Sequence, residues 1–141
     1  MSPPDDPPAG SRGIDDILAA ARSRLRRVLP EQAYARQRCG ALLVDIRPVA
    51  QRSANGEIPG ALVVDRNVLE WRFDPRSPSR LPVADRYDLA VIVLCQEGYS
   101  SSLAAAVLHD LGLHNATDVV GGFDAWAAAG LPITAPAAEQ P

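Results

Sequence analysis

The chain has 141 residues, 47% of them apolar, and a net charge of −3, values typical of one globular domain with its own hydrophobic core. All 14 basic residues are arginine, which excludes Schiff-base chemistry on lysine and the lysine of a phosphate-binding P-loop. The arginines are spread along the sequence and no apolar run could span a bilayer, so we expect neither a nucleic-acid partner nor a membrane segment.

The two ends of the chain differ in composition from the rest. Residues 1–13 are rich in proline, aspartate, glycine and serine, and they lack the basic start and apolar stretch of a secretory signal. Residues 135–141 have a similar composition, so we expect both segments to be disordered tails. The missing signal predicts a cytoplasmic protein.

The composition of the whole chain indicates its source. The exclusive use of arginine, together with many alanines, is typical of a GC-rich bacterial genome.

The first regular element is predicted over residues 14–29. Apolar residues recur there at helical spacing, with Asp15 and Asp16 near the start and arginines near the end, as the helix dipole favours. We therefore predict an N-terminal amphipathic helix. Binding of its arginine-rich flank to a membrane surface is a weaker alternative than surface charge matched to the dipole.

Residues 30–134 alternate between helix-like and strand-like segments. Pro30 begins a short helix that reaches Arg38. The strand-like runs are 41–45, 61–64, 90–94 and 117–120, the later helices are 101–111 and 123–129, and 74–85 is a long exposed connection. This alternation indicates an α/β fold with a mostly parallel central sheet of about five strands and helices on both faces. In such folds functional loops leave the carboxyl ends of the strands.

A cysteine stands at the carboxyl end of the strand that reaches Leu94, and a helix follows after a short loop. The N–H groups of residues 96–100 can surround the Cys95 sulfur, while the helix N-terminus adds its positive end. Such surroundings lower a cysteine pKa from ~8.5 to roughly 3.5–7.5, which makes Cys95 a candidate nucleophile. On this loop alone, an unreactive cysteine at a strand end is an equal alternative.

The loop resembles the active loop of the rhodanese-like domains, which has the pattern Cys-x-x-Gly-x-[Arg/Ser]-Ser. Here it is Cys95-Gln96-Glu97-Gly98-Tyr99-Ser100-Ser101. Three further stretches are similar to family motifs and occur in the family's order: residues 43–47 to Val-Asp-x-Arg, 56–61 to Gly-His-Ile-Pro-Gly-Ala, and 121–132 to the closing signature. The resemblance covers residues 30–133 and leaves the N-terminal helix outside.

The resemblance implies a sulfurtransferase. The Cys95 thiolate would take sulfur from a small donor such as thiosulfate, and the resulting persulfide would pass it to a thiol, to cyanide or to a sulfur-carrier protein, with no cofactor and no metal. It implies that the substrate contacts Gln96, Glu97, Gly98, Tyr99, Ser100 and Ser101. Arg47 could reach an incoming anion as well, although we favour its pairing with Asp45.

The sequence departs from the family pattern at two positions. Ser100 stands where many members carry an arginine that helps to bind an anionic donor, although some sulfurtransferases of the family have serine there. Glu57 replaces the histidine of the turn, and because that turn is part of the scaffold we expect this change to affect packing rather than chemistry. A non-enzymatic binding or persulfide-sensing module is therefore an alternative. A phosphatase or arsenate reductase is a weaker one, because those relatives have one more loop residue and an arginine that clamps the tetrahedral anion.

Three other kinds of residue, tryptophan, cysteine and histidine, are candidates for a role. Trp126 is predicted to lie in the core, and Trp71 is more often a core residue than part of a pocket mouth. Cys39 is predicted to be partly buried and inert. The two histidines, His109 and His114, fit the surface at a helix end rather than a general base.

Overall fold

A four-stranded parallel sheet lies at the centre of the computed structural model, which describes residues 6–135. Its strands are β1 (Leu42–Asp45), β2 (Leu62–Val63), β3 (Val91–Leu94) and β4 (Thr117–Asp118), in the spatial order β2-β1-β3-β4. Every neighbouring pair is parallel. The predicted α/β fold and its parallel sheet are therefore confirmed.

The predicted strand count is one too high. Within residues 6–135 the place of a fifth strand, beside β4, is taken by a single parallel bridge between Val28 and Val119. The Val28 N–H donates to the Asp118 carbonyl at 3.1 Å, and the Val28 carbonyl accepts from the Val120 N–H at 2.9 Å. Only one residue pairs here because Pro30, two positions later, begins a helix.

Helices cover both faces of the sheet, as predicted. They are α1 (Ile14–Ser23), α2 (Pro30–Arg38), α3 (Val49–Asn55), α4 (Leu69–Phe73), α5 (Ser100–Asp110) and α6 (Gly122–Ala128), and a 3-10 turn spans Arg66–Val68. Residues of α4 and α5 share one hydrophobic cluster with the sheet, and residues of α2 and α6 share the other. Helix α1 packs on α5.

The two central strands bury side chains on both faces. Val91 and Val93 of β3 point into the cluster that contains α5, whereas Ile92 and Leu94 point into the cluster that contains α6. This two-sided burial explains the continuous apolar run in the sequence. Trp126 is fully buried, as predicted, and its indole N–H donates to the Pro132 carbonyl at 2.9 Å.

The predicted N-terminal helix begins at the expected residue but ends early. It stops at Ser23 rather than at Leu29. The helix ends in a tight last turn, in which the Arg24 N–H donates to the Ala21 carbonyl, and it could not have included Leu29, because Leu29 precedes Pro30 and has the extended angles φ −71° and ψ 157°. The residues in between run along the sheet edge, where Val28 forms its bridge.

Two expectations about burial were wrong. Trp71 is 60% exposed, because α4 is a single short helix whose Leu69 and Phe73, four residues apart, both face the core and leave Trp71 on the other side. Cys39 is exposed rather than partly buried, because it follows the last residue of α2 just before the turn at Gly40.

The histidines lie where the sequence indicated. His109 is in the last turn of α5, half-buried, with Nε2 2.7 Å from the Ala116 carbonyl oxygen, and His114 is exposed in the following turn. Of the predicted tails, residues 1–5 and 136–141 lie outside the described residues, so their disorder stays a prediction. In the part of the chain that is described, no helix is long and apolar enough to cross a membrane.

Candidate active site

The sequence motifs converge at the carboxyl edge of the sheet. Asp45 and Leu94 are partners in the register of β1 and β3, so the segments that follow these strands begin side by side. A cavity of about 230 Å³ opens between them, lined by Arg47 and Pro48 on one side and by Cys95, Glu97, Tyr99 and Ser100 among the loop residues on the other. Gln96 lines this cavity too, whereas Gly98 and Ser101 lie buried behind it.

The Cys95 sulfur is held by backbone N–H groups. Gly98 N lies 3.2 Å and Ser101 N lies 3.4 Å from Sγ, and the residue is 6% exposed. Burial raises the pKa of the thiol, but hydrogen bonds from Ser101, Ser100 and Gly98 outweigh it and hold the pKa below the ordinary value of 9.0. The loop therefore favours the thiolate, which is the nucleophilic form of cysteine.

The hydroxyl of Ser101 donates to Asp118 rather than to the Cys95 sulfur. Its single proton is used in a 2.7 Å hydrogen bond to Asp118 Oδ2, so it cannot also be donated to the sulfur. We therefore assign the lowering of the Cys95 pKa to the Ser100 hydroxyl and to the N–H groups of Ser101 and Gly98. Asp118, in turn, is fully buried.

Several loop N–H groups remain available to a ligand. Within residues 6–135, no acceptor is bonded to the N–H groups of four loop residues: Gln96, Glu97, Tyr99 and Ser100. Gly98 has φ +88°, a left-handed value that lets the chain turn around the sulfur. The loop then enters α5, an eleven-residue helix whose N-terminus adds positive potential at Ser100.

The pairing of Arg47 with Asp45, favoured from the sequence, is confirmed. Arg47 Nε and Nη2 bind the carboxylate at 3.0 and 2.8 Å, Nη2 also donates to the Gly56 carbonyl at 2.9 Å, and Nη1 donates to Gln96 Oε1 at 3.1 Å. The guanidinium lies 3.9 Å from the centre of the Phe123 ring. These bonds use four of the five guanidinium N–H groups, so Arg47 positions Gln96 and keeps one Nη1 N–H, which is too few for bidentate binding of an anion.

The two departures from the family pattern occupy different places. Glu57 forms an ion pair with Arg52 at 2.9 Å, and its N–H donates to Thr134 Oγ1 at 3.0 Å, so it acts in packing as expected. Ser100 and Glu97 are exposed at the cavity. The wall of the cavity therefore carries the Glu97 carboxylate, and at Ser100 it lacks the positive charge that a family arginine would add.

The start of α6 supports the loop, a contact that the sequence did not reveal. The Phe123 N–H donates to the Cys95 carbonyl at 2.8 Å, and the Asp124 N–H donates to the Gln96 carbonyl at 3.0 Å. Gly122 has φ +60°, and a Cβ on it would lie 2.4 Å from the Cys95 carbonyl oxygen. The closing signature was visible in the sequence, but only the fold shows that its glycine touches the nucleophile's backbone.

The N-terminal segment also reaches the loop. Arg22 Nη2 and Arg27 Nη2 donate to the Gly98 carbonyl at 2.8 and 3.1 Å. Arg27 also binds the buried Asp118, with Nε 2.8 Å from Oδ1. Sequence reasoning missed both arginines, because periodicity predicts that a helix forms but not where it packs.

Comparison with known proteins adds independent findings. A family model described as rhodanese-like domain matches residues 29–129. The thiosulfate sulfurtransferase GlpE of Stutzerimonas stutzeri is 38% identical over 101 residues, 72% of this chain and 84% of that protein. The protein of the same name from Haemophilus influenzae strain PittEE is 34% identical over 109 residues, 77% of this chain and 93% of that protein.

Solved structures agree on the fold. A Rhodopseudomonas palustris protein, described as of unknown function and a possible tyrosine phosphatase, has a TM-score of 0.80 and 34% identity, and covers 92% of this chain and 100% of its own. The polysulfide-sulfur transferase homodimer of Wolinella succinogenes has a TM-score of 0.64 at 21% identity over 85% of each chain, a likeness that shows the fold alone.

Proposed function

The chain belongs to the rhodanese-like domain family, and we propose that it is a sulfurtransferase that moves sulfane sulfur from a donor to a thiophilic acceptor through a persulfide on Cys95. The observation that carries the proposal is the position of the Cys95 sulfur, which accepts hydrogen bonds from the N–H groups of Gly98 and Ser101 at the edge of an open cavity. The curated relatives named thiosulfate sulfurtransferase support the same reaction class.

In the first half-reaction the Cys95 thiolate attacks the outer sulfur of the donor. With thiosulfate, a bond forms between Sγ and that outer sulfur while the sulfur–sulfur bond of the donor breaks, and sulfite leaves with the bonding electron pair. The product is a cysteine persulfide whose terminal sulfur carries the negative charge. No net oxidation occurs, so no redox partner is needed.

In the second half-reaction an acceptor nucleophile attacks the terminal sulfur of the persulfide. The new bond forms as the Sγ–sulfur bond breaks, and the electron pair returns to Cys95 as the thiolate. Cyanide would give thiocyanate and a thiol would give a new persulfide. Because sulfite leaves before the acceptor reacts, the enzyme alternates between a thiolate form and a persulfide form, and the steady-state kinetics are expected to be ping-pong.

The loop supplies the stabilisation for both enzyme forms. The N–H groups of Gly98 and Ser101 stabilise the thiolate, and those of Gln96, Glu97, Tyr99 and Ser100 are available to the terminal sulfur that lies further out in the cavity. Fixed N–H dipoles aimed at a developing charge lower a barrier without reorganisation. This is the substrate-binding role that we propose for residues 96–101.

A phosphatase is the second candidate, and the description of the Rhodopseudomonas palustris neighbour favours it. Against it stands the chemistry of the cavity. The loop from Cys95 to Ser100 contains no arginine. Of the described residues that line the cavity, Arg47 is the one arginine, and four of its five N–H groups are bonded within the protein. Nothing else there clamps a tetrahedral dianion in the bidentate way that phosphate binding uses.

The acceptor side of the proposal rests on exposure. Glu97, Tyr99 and Ser100 are exposed at the mouth of the cavity, and Tyr99 is 58% exposed, so a small thiol, cyanide or the tail of a sulfur-carrier protein can approach. Retention of a persulfide by the enzyme in the presence of excess thiol would overturn this part.

A cytoplasmic location completes the proposal. Its support is that Cys39 and Cys95 are both free thiols, the state that the cytosol maintains. Recovery of the native protein from a secreted fraction after cell fractionation would contradict it.

The test compares turnover in three proteins: the wild type, Cys95→Ser and Cys39→Ser. We expect thiocyanate formation from thiosulfate and cyanide in the wild type and in Cys39→Ser, and none in Cys95→Ser, because a serine hydroxyl does not ionise in this loop. The melting temperature of Cys95→Ser should stay close to that of the wild type. Hydrolysis of p-nitrophenyl phosphate without thiocyanate formation would favour the phosphatase, and absence of both activities would favour a binding or sensing module.

A further inference from the structure

The segment before the family match contacts the active loop directly. The match begins at residue 29, yet Arg22 and Arg27 both donate to the Gly98 carbonyl, at 2.8 and 3.1 Å. We call these two residues the arginine clamp. A carbonyl that accepts two guanidinium donors is fixed far more firmly than one in an ordinary loop, because charge-assisted hydrogen bonds are about twice as strong as neutral ones.

Each arginine of the clamp has an anchor of its own. Arg22 Nε donates to Ser102 Oγ at 3.1 Å, and its guanidinium lies 5.5 Å from the centre of the Tyr99 ring. Arg27 binds both oxygens of Asp118, at 2.8 and 3.2 Å, and its side chain is 16% exposed. The clamp is therefore a preorganised pair of cations rather than two mobile surface arginines.

The clamp acts on one peptide group. The Gly98–Tyr99 bond is trans, since none of the described peptide bonds is cis, so the Gly98 carbonyl and the Tyr99 N–H point in opposite directions. The carbonyl faces the two guanidinium groups. Tyr99 lines the cavity, whereas Arg22 and Arg27 are not among the described residues that line it. The Tyr99 N–H is therefore directed away from the clamp, and it makes no hydrogen bond within residues 6–135.

Cations on the carbonyl oxygen also change the electronic state of that peptide. Hydrogen bonds to a carbonyl polarise the amide and strengthen the hydrogen bond that the N–H at its other end can donate, by about 10–30% per bond. The positive charge outside the cavity thus makes the Tyr99 N–H a better donor inside it. The stronger Tyr99 N–H supplies part of the positive potential that the loop lacks, because Ser100 stands where many family members carry an arginine.

We propose that Arg22 and Arg27 are positioning residues of the sulfurtransferase site, which aim and polarise the Gly98–Tyr99 peptide toward the sulfur bound on Cys95. The N-terminal segment is then a functional part of the catalytic unit. The inference rests on the proposed function for its catalytic consequence. Its effect on the thiolate can be measured without any sulfur transfer.

Arg22 is the better residue to change. Replacing Arg27 would leave the carboxylate of Asp118, which is fully buried, without its ion-pair partner, and such a loss destabilises a fold. Arg22→Gln removes the charge and keeps a polar side chain, while Arg22→Lys keeps the charge. Arg24→Gln is the matched control, because Arg24 follows the same helix and binds α5 through Asp110 at 2.6 Å but, within residues 6–135, forms no side-chain hydrogen bond or ion pair with the loop.

The first readout is alkylation of Cys95 by iodoacetamide as a function of pH, measured in a Cys39→Ser background so that one thiol reacts. Loss of one nearby cation should slow the reaction about three- to tenfold at pH values below the thiol pKa. Arg22→Lys should recover part of the rate, and Arg24→Gln should match the parent. Equal rates in Arg22→Gln and Arg24→Gln would overturn the clamp, provided that both melt cooperatively.

The second readout is sulfur transfer from thiosulfate to cyanide. Arg22→Gln should lower kcat/KM about tenfold, mainly through kcat, because a misdirected N–H costs more when charge develops on the transferred sulfur. A parent protein without turnover would reject the proposed function, and the order of alkylation rates would still decide the clamp. Normal turnover in the parent together with unchanged kcat and alkylation in Arg22→Gln would reject the clamp alone.

Discussion

The contact between Gly122 and the active loop gives a sharp prediction. A Cβ at this position would lie 2.4 Å from the Cys95 carbonyl oxygen, 2.7 Å from the Gly98 nitrogen and 2.9 Å from the carbonyl carbon of Gln96. All three are backbone atoms, so no flexible side chain can turn aside. In Gly122→Ala the loop itself must move.

The required movement sets the size of the effect. Ordinary contacts of a Cβ begin at 3.4 Å, so the Cys95 carbonyl has to retreat by about 1 Å. A misplacement of that size costs about 100-fold in rate when it moves a catalytic group. The left-handed backbone at Gly122 adds a strain of about 1–2 kcal/mol to the cost in stability.

Gly130→Ala separates the contact from the strain. Gly130 follows the end of α6, has φ +72°, and would place its Cβ where nothing lies within 4 Å. Both substitutions should therefore lower the free energy of unfolding through backbone strain. Only Gly122→Ala should lower kcat/KM for sulfur transfer, by about 100-fold.

The assay pairs thiocyanate formation with thermal unfolding of the same samples. Loss of activity in Gly122→Ala at a temperature well below its melting point, with Gly130→Ala fully active, would agree with the reasoning. Equal activity of the two variants would refute the claim that the close approach of α6 holds the loop in its active shape.

Three further predictions concern the loop. Glu97→Gln should raise kcat/KM for thiosulfate several-fold at low salt, since an exposed carboxylate ~7 Å from a dianion costs about 1 kcal/mol per unit charge at an effective dielectric constant of ~40; an equal gain with a neutral donor would contradict this electrostatic cause. Insertion of one residue between Cys95 and Ser100 should abolish transfer, because the N–H groups would no longer converge on the sulfur; an insertion variant with normal turnover would show that they are not the source of activation. The alkylation rate of Cys95 should rise with pH and level off at a lower pH than for free cysteine, because its pKa is lowered and the thiolate is already formed there; a profile identical to that of free cysteine would disprove the lowering.

The sequence predicted the parts of the fold that follow from local pattern. The central strand β3 is buried on both faces and therefore appears as a continuous apolar run, and the loop after it has a distinctive series of residues that identified Cys95. The pairing of Arg47 with Asp45 also followed from their spacing on one strand end. These features depend on residues close together in the chain.

The rest depended on packing between distant segments. Trp71 and Leu69 lie on the same short helix, and only the way that helix sits on the sheet decides which of them is buried. The contacts of Arg22 with Gly98 join residues 76 positions apart, and no periodicity encodes such a partner. The approach of Gly122 to Cys95 is equally non-local, although glycine itself is a signal for close backbone contact.

The central claim is that Cys95 carries the transferred sulfur, and mass spectrometry of the purified protein after incubation with thiosulfate tests it most directly. We predict that the peptide containing Cys95 gains the mass of one sulfur atom, that cyanide removes this sulfur, and that the peptide containing Cys39 stays unchanged. A folded protein in which Cys95 gains no sulfur, or in which Cys39 gains it instead, would contradict the account.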